Sequence, residues 1–324
     1  MDRERRVFSR AIGLFVVLLL ARPAPTRAQP LTCIEELPGP NNCYKLAVPA
    51  GSPRGLVVLL PGFGDTVALF DLFQLPTIMQ ERGYVVAAIS MAGYINWESE
   101  VKTLHAIISR IADQHRVPPD SLAIGGFSAG ATGALRYAQY CVEQRCSATT
   151  RAAAAFSVDG PLDFERWYNC SARRAQWQPG DPEGWGVITK VLSKNLGGSP
   201  AEKRASYVRA APLTASEPRG GNAALLKDTP VRAYSEPDVT WTIENWSADY
   251  YCQNSIDQAA LVLELKMQGN KNAELIMTTG KGYRAEFVES TGTYRKGERS
   301  PHSWSIVDEP NLAEWIERHT RKSP

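Results

Sequence analysis

Leu122-Ala123-Ile124-Gly125-Gly126-Phe127-Ser128-Ala129-Gly130 is the stretch from which the rest of the chain can be read. An apolar run of strand length meets glycine, and the residues that follow, Ala131 to Gln144, have the composition of a helix. A G-x-S-x-G sequence at such a junction forms a tight strand-to-helix turn that exposes the serine oxygen. Gly126 and Gly130 suit that turn because it is strained and the helix must pack close to the strand. Ser128 is therefore the candidate nucleophile.

Outward from this point, apolar runs alternate with helical patterns. Leu56–Leu60 and Tyr84–Ser90 precede the serine, and Ala152–Val158, Val231–Ser235 and Leu275–Thr279 follow it. Continuous apolar runs of this length read as strands buried on both faces. Between Trp97 and His115, Val101, Leu104, Ile107, Ile108 and Ile111 recur at helical steps. Helices are also expected at Val67–Arg82, Tyr250–Met267 and Asn311–His319, with an edge strand at Tyr44–Val48. The alternation predicts an α/β fold, a mostly parallel central sheet with helices on both faces. Residues 164–228 break the pattern and read as a cap-like insertion over the sheet. The charged segment Gly280–Pro301 reads as a long surface loop.

A serine needs a base, and a base needs an acid to orient it. The chain has four histidines. His105 and His115 share one predicted helix upstream of the serine, and His319 lies among charges at the end of the terminal helix. His302, in Ser300-Pro301-His302-Ser303-Trp304, follows the last strand and is the candidate base. Asp238 is the first choice for the acid, because Pro237 turns the chain after the strand at 231–235. Glu236 and Asp159 are the competing carboxylates. The backbone N–H groups of Ala129 and of Phe63, in Pro61-Gly62-Phe63-Gly64-Asp65, are the candidate oxyanion donors.

With PGFGD at 61–65, GFSAG at 126–130, SEPD at 235–238 and PHSW at 301–304 in that order, the chain resembles the α/β-hydrolase superfamily. The resemblance spans about Leu56 to Ile316. The segment GFSAGATGALRYA at 126–138 is similar to the secreted esterase D and feruloyl-esterase-like branch. Pro61-Gly62 stands where many lipases and esterases have His-Gly, and Ser235 where many members have Gly. The resemblance implies a serine hydrolase that cleaves carboxylic esters through an acyl-enzyme, with no cofactor and no metal. A serine peptidase, or an exported binding protein of the same fold without catalysis, are the alternatives.

The N-terminus sets the expected compartment. Arg3, Arg5, Arg6 and Arg10 precede an apolar run from Ala11 to Ala21, followed by Arg22-Pro23-Ala24-Pro25-Thr26-Arg27-Ala28. This is the layout of a signal peptide over residues 1–28, with a single domain from 29 to 324. Those residues hold six arginines and two acids, so the formal charge of +2 becomes a slight acidic excess beyond them. Nucleic acid is not an expected partner, and no stable membrane span is expected after cleavage.

Six cysteines suit an oxidising, secreted or periplasmic location. Proximity predicts disulfides Cys33–Cys43 and Cys141–Cys146, leaving Cys170–Cys252. No C-x-x-C or H-x-x-x-H spacing suggests a metal site. Trp97, Trp241, Trp246 and Trp304 are expected near the site, where they would suit a small-molecule or glycan-linked ester.

Overall fold

The computed structural model describes residues 31–34, 43–63, 67, 72–90, 97–177, 185–288, 291 and 293–320. Residues 1–28, expected to be a signal peptide, lie outside them, as do Gly64, Asp65 and the Trp97 side chain.

Two short strands, β1 (Thr32–Cys33) and β2 (Cys43–Ala47), lead into the first buried strand, β3 (Gly55–Leu60). Then follow α1 (Leu75–Glu81), β4 (Tyr84–Ile89), α2 (Trp97–Gln114), β5 (Leu122–Phe127), α3 (Ala129–Glu143) and β6 (Ala152–Val158). The segment after β6 forms α4 (Phe164–Trp177), α5 (Trp185–Leu196), α6 (Pro200–Ala210) and a 3-10 stretch, Pro218–Leu226. After it come β7 (Val231–Ser235), α7 (Val239–Trp246), α8 (Ser255–Met267) and β8 (Ala273–Met277). A hairpin, β9 (Tyr283–Val288) and β10 (Thr293–Arg299), precedes α9 (Glu309–Thr320).

Eight strands form one sheet in the order β1-β2-β4-β3-β5-β6-β7-β8. The pairs β1–β2 and β2–β4 are antiparallel, and the pairs from β4–β3 through β7–β8 are parallel. The continuous apolar runs have a simple origin, because alternate residues of each strand enter different cores. Leu56, Val58 and Leu60 pack with Leu104, Ile107, Ile108 and Ile111 of α2 and Leu135 of α3. Val57 and Leu59 pack with Leu75 and Met79 of α1 and Trp315 and Ile316 of α9. Helices thus cover both faces of the sheet.

Three expectations need correction. The helix expected over Val67–Arg82 is the shorter α1, Leu75–Glu81, with Val67, Phe73 and Gln74 outside it. The segment Gly280–Pro301 is not a loop but mainly the β9–β10 hairpin. The sequence carries its signal: Tyr283, Ala285 and Phe287 alternate with Arg284 and Glu286, the period of a strand, within an otherwise charged stretch. The helix expected over Tyr250–Met267 is divided into a 3-10 turn, Tyr250–Cys252, and α8.

All three expected disulfides are present. Cys170–Cys252 closes a loop of 82 residues and ties α4 to the turn before α8. Loss of chain entropy in the unfolded state makes a bridge of this span worth about 4 kcal/mol. A buried ionic cluster reinforces it. Asp257 accepts Arg166 Nε at 2.5 Å and Nη2 at 2.7 Å, and also the Leu162 amide at 2.8 Å. Arg166 Nη1 donates to the Tyr251 carbonyl at 2.7 Å. Burial and the neighbouring Asp257 push the Asp163 carboxyl above its ordinary range, against two amide hydrogen bonds that lower it.

Candidate active site

Ser128 stands between β5 and α3 with φ 54° and ψ −124°, a conformation that non-glycine residues rarely adopt. Close packing on both sides holds it there. A Cβ added to Gly126 would lie 2.5 Å from the Gly130 carbonyl carbon and 2.6 Å from the Leu60 oxygen, and one on Gly130 would strike the Leu60 and Pro61 carbonyls. The glycines flanking the serine therefore allow α3 to start directly against β3.

The register of the sheet brings the acid to the serine. Phe127 of β5 is the registered partner of Val158 of β6. Ser128 continues the pairing, its amide donating to the Val158 carbonyl at 2.9 Å. The next residue on β6 is Asp159, with φ 46° and its amide on the Tyr234 carbonyl at 2.9 Å. Serine and aspartate each stand one residue beyond a paired position on neighbouring strands, which lie about 4.8 Å apart. His302 spans them: Nε2 is 3.0 Å from Ser128 Oγ and Nδ1 is 2.6 Å from Asp159 Oδ2. The other Asp159 oxygen accepts the Ser235 hydroxyl at 3.0 Å, and its carbonyl accepts Asn254 Nδ2 at 2.8 Å.

The structure therefore corrects the acid: Asp159, not Asp238, holds His302. Asp238 is the N-cap of α7, where Oδ1 accepts the Trp241 amide at 3.0 Å. Its second oxygen lies 2.9 Å from Arg299 Nη2. Val158 pairs with Tyr234, so Ser235 stands level with Asp159 and Asp238 lies three residues beyond that level. Glu236 is also occupied elsewhere. Its oxygens accept the amides of Lys281 at 2.9 Å and Gly282 at 3.0 Å and the Thr278 hydroxyl at 2.7 Å, and Arg299 lies at 2.6 Å. Burial alone would raise the Glu236 carboxyl, but these donors and the Arg299 charge together hold it below its ordinary value.

His302 is packed as well as hydrogen-bonded. The Phe127 ring lies 4.8 Å from it and the Trp246 ring meets it edge-on at 5.8 Å. Its loop is fixed through Ser300, whose hydroxyl donates to the His302 carbonyl at 3.0 Å. Of the expected tryptophans, Trp246 borders both clefts described below, Trp241 packs on Trp246 at 5.0 Å, and Trp304, largely buried and stacked on Phe73 at 4.0 Å, borders the second cleft. Sequence reading missed Ser235, Asn254 and Arg299 as supporting groups. Trp167 and Trp185, from the segment expected to lie over the sheet, reach the site from α4 and α5.

Ser128 and His302 open onto two clefts, of about 580 Å³ and about 610 Å³. Phe63, whose residue is 60% exposed, borders both. Ala129 is the first residue of α3, so its N–H has no acceptor within the helix and points toward the turn. Among the described residues the sole compact group of metal-type side chains is His105 with Cys141 and Cys146. Both cysteines are consumed in a disulfide, so the group does not fit a metal.

No protein-family model matches the chain, and no curated protein matches its sequence. Solved structures do match. A puromycin-hydrolyzing peptidase of Mycobacterium tuberculosis superposes with a TM-score of 0.59 at 16% identity, over 94% of this chain and 42% of that one. The Pyrococcus horikoshii acylaminoacyl peptidase gives 0.53 at 13% identity, over 87% of this chain and 40% of that one. This chain thus spans about two fifths of the length of either peptidase. A bacterial heroin esterase gives 0.56 at 15% identity, over 86% of this chain and 80% of that one. The strand order, the turn at Ser128 and these likenesses together give the conclusion that the chain has the α/β-hydrolase fold.

Proposed function

We propose that this protein is a serine hydrolase that cleaves carboxylic esters through an acyl-enzyme on Ser128. The observation that carries the reading is the continuous contact from Ser128 Oγ through His302 to Asp159, at 3.0 and 2.6 Å, at the meeting point of two clefts. In this reading His302 Nε2 takes the Ser128 proton as Oγ attacks the ester carbonyl. Asp159 holds Nδ1–H, fixing the tautomer and stabilising the imidazolium that forms. The amides of Ala129 and Phe63 receive the oxyanion, each donor worth about 3–4 kcal/mol. His302 then gives its proton to the departing alcohol oxygen. Water repeats the sequence on the acyl-enzyme, releasing the acid and restoring Ser128.

Export belongs to the same proposal. Three disulfides support an oxidising compartment, and among the described residues no helix is long and apolar enough to cross a membrane.

The test is a fluorophosphonate probe with intact-mass readout, followed by turnover of matched esters and amides. The wild-type chain should take one label, and Ser128→Ala none. Ser128→Ala should also lose about 10⁴- to 10⁶-fold in ester turnover with its thermal transition retained. A Ser128→Ala chain that still takes the label would overturn the assignment. Faster cleavage of amides than of matched esters would move the reading to a peptidase.

A further inference from the structure

The two clefts that meet at Ser128 differ in chemistry. Ser128, His302, Phe63 and Trp246 border both, so the scissile bond would lie at their junction with a substrate half in each. The first cleft is walled by Trp167, Trp185, Val187, Ile188 and Pro161, and among the described residues no lysine or arginine lines it. The carboxylates among its described lining residues, Asp159 and Glu236, are held by the groups described above. The second cleft is walled by the β9–β10 hairpin and carries Arg284, Arg295 and Lys296. Among the described residues that line it, the one carboxylate is Glu309, which accepts the Leu75 amide at 2.5 Å. Burial, the larger influence, pushes that carboxyl up despite its amide donors.

The hairpin cations are not equivalent. Arg295 is paired with Glu286, at 2.9 Å. Lys296 is the registered partner of Ala285, which places it on the same face of the hairpin as Tyr283. There its ammonium lies over the Tyr283 ring, 4.6 Å from the centroid. A cation–π contact orders the ammonium without neutralising its charge, so the charge stays available to an anion. Tyr294 borders the same cleft.

We infer that the ester substrate is asymmetric: one half is apolar or aromatic and lies against Trp167 and Trp185, and the other carries a carboxylate read by Lys296 beside Tyr283. The inference rests on Ser128 being the nucleophile, and it adds the substrate class. Lys296 would act as a specificity residue that does not touch the reacting atoms. A charge at the edge of a site acts mainly through long-range attraction and is weakened by salt.

Two pairs of esters test it, one with the carboxylate in the acyl half and one with it in the alcohol half. They are 4-nitrophenyl hemisuccinate against 4-nitrophenyl butyrate, and 4-carboxyphenyl butyrate against phenyl butyrate. The readout is the ratio of kcat/KM for the charged ester to that for its neutral partner. Lys296→Met should lower this ratio about fivefold or more in one of the two pairs. Lys296→Arg should restore most of it, and the wild-type ratio should fall between 50 and 500 mM salt. A ratio unchanged by Lys296→Met in both pairs would overturn the inference and leave the serine reading intact. Fluorophosphonate labelling of the same preparations separates the two failures, because an unlabelled wild-type chain removes the nucleophile itself.

Discussion

Two neighbouring parallel strands, β6 and β7, end at the same edge of the sheet, and each is followed by an acid. After β6 the acid is Asp159, and after β7 the acids are Glu236 and Asp238. Their fates differ because of height and company. Asp159 stands one residue past a registered pair, level with Ser128, and meets His302 at 2.6 Å. Glu236 faces the base of the hairpin, where it accepts the Lys281 and Gly282 amides and pairs with Arg299. Asp238 caps α7. The β6 turn therefore serves the histidine directly. The β7 turn holds Arg299, three residues before His302, and so fixes the segment from which the histidine projects. A carboxylate at a strand end is thus defined by what it reaches, and its place in the chain order alone does not assign its role.

The largest test of that contrast is Asp159→Asn. An amide there no longer favours the reactive tautomer or stabilises the imidazolium, so ester turnover should fall about 10²- to 10⁴-fold near neutral pH with folding retained. Steady-state kinetics and a thermal scan measure both. A loss in Asp238→Asn greater than that in Asp159→Asn would reverse the comparison.

Next is Glu236→Gln. Its carboxylate satisfies several buried donors and a guanidinium, and removing the charge should cost about 1–3 kcal/mol of stability. A shift in the denaturant midpoint reads this. Turnover should fall much less than in Asp159→Asn, since the loop is loosened without loss of the His302 hydrogen bond.

The same carboxylate gives a pH signature. Its folded value lies below the ordinary 4.5, so the stability that it lends is complete above that value in the unfolded chain. That stability is lost as pH falls through the depressed folded value. Wild type and Glu236→Gln should therefore differ most in thermal stability near neutral pH and converge in acid. A gap of constant size from pH 7 to pH 3 would remove the charged clamp from the account.

The smallest effect is expected for Asp238→Asn. Asparagine caps a helix about as well as aspartate, and the contact to Arg299 is partly exposed. Stability should change by less than about 1 kcal/mol, and turnover by less than about threefold. A larger kinetic loss would show that Arg299 needs both carboxylates to hold the His302 segment.

Much of this was legible in one dimension, and the reasons are local. The strands at Leu56–Leu60 and Leu122–Phe127 are continuous apolar runs because both faces of the sheet are covered. Ser128 was marked by glycines whose missing side chains the turn requires. His302 was the histidine in the segment between the last parallel strand and the terminal helix. Cys33–Cys43 and Cys141–Cys146 followed from short separations, and the third pair from what remained. These features depend on period, on backbone freedom or on counting, and a sequence carries all three.

The acid did not have that kind of signal. Val158-Asp159-Gly160 and Ser235-Glu236-Pro237-Asp238 both look like a strand end with a carboxylate and a turn residue. Only the registers Phe127–Val158 and Val158–Tyr234 decide which carboxylate is level with the serine. Register is a relation between distant strands that hydrogen bonding sets across the sheet. The hairpin at Tyr283–Arg299 and the Trp167–Trp185 wall were likewise decided by packing between distant segments. The chemistry available at the site was determined by the sequence. Which carboxylate meets the histidine, and which walls border the clefts, was determined by tertiary structure, because hydrogen-bond geometry changes within a few ångströms and position along the chain does not measure that distance.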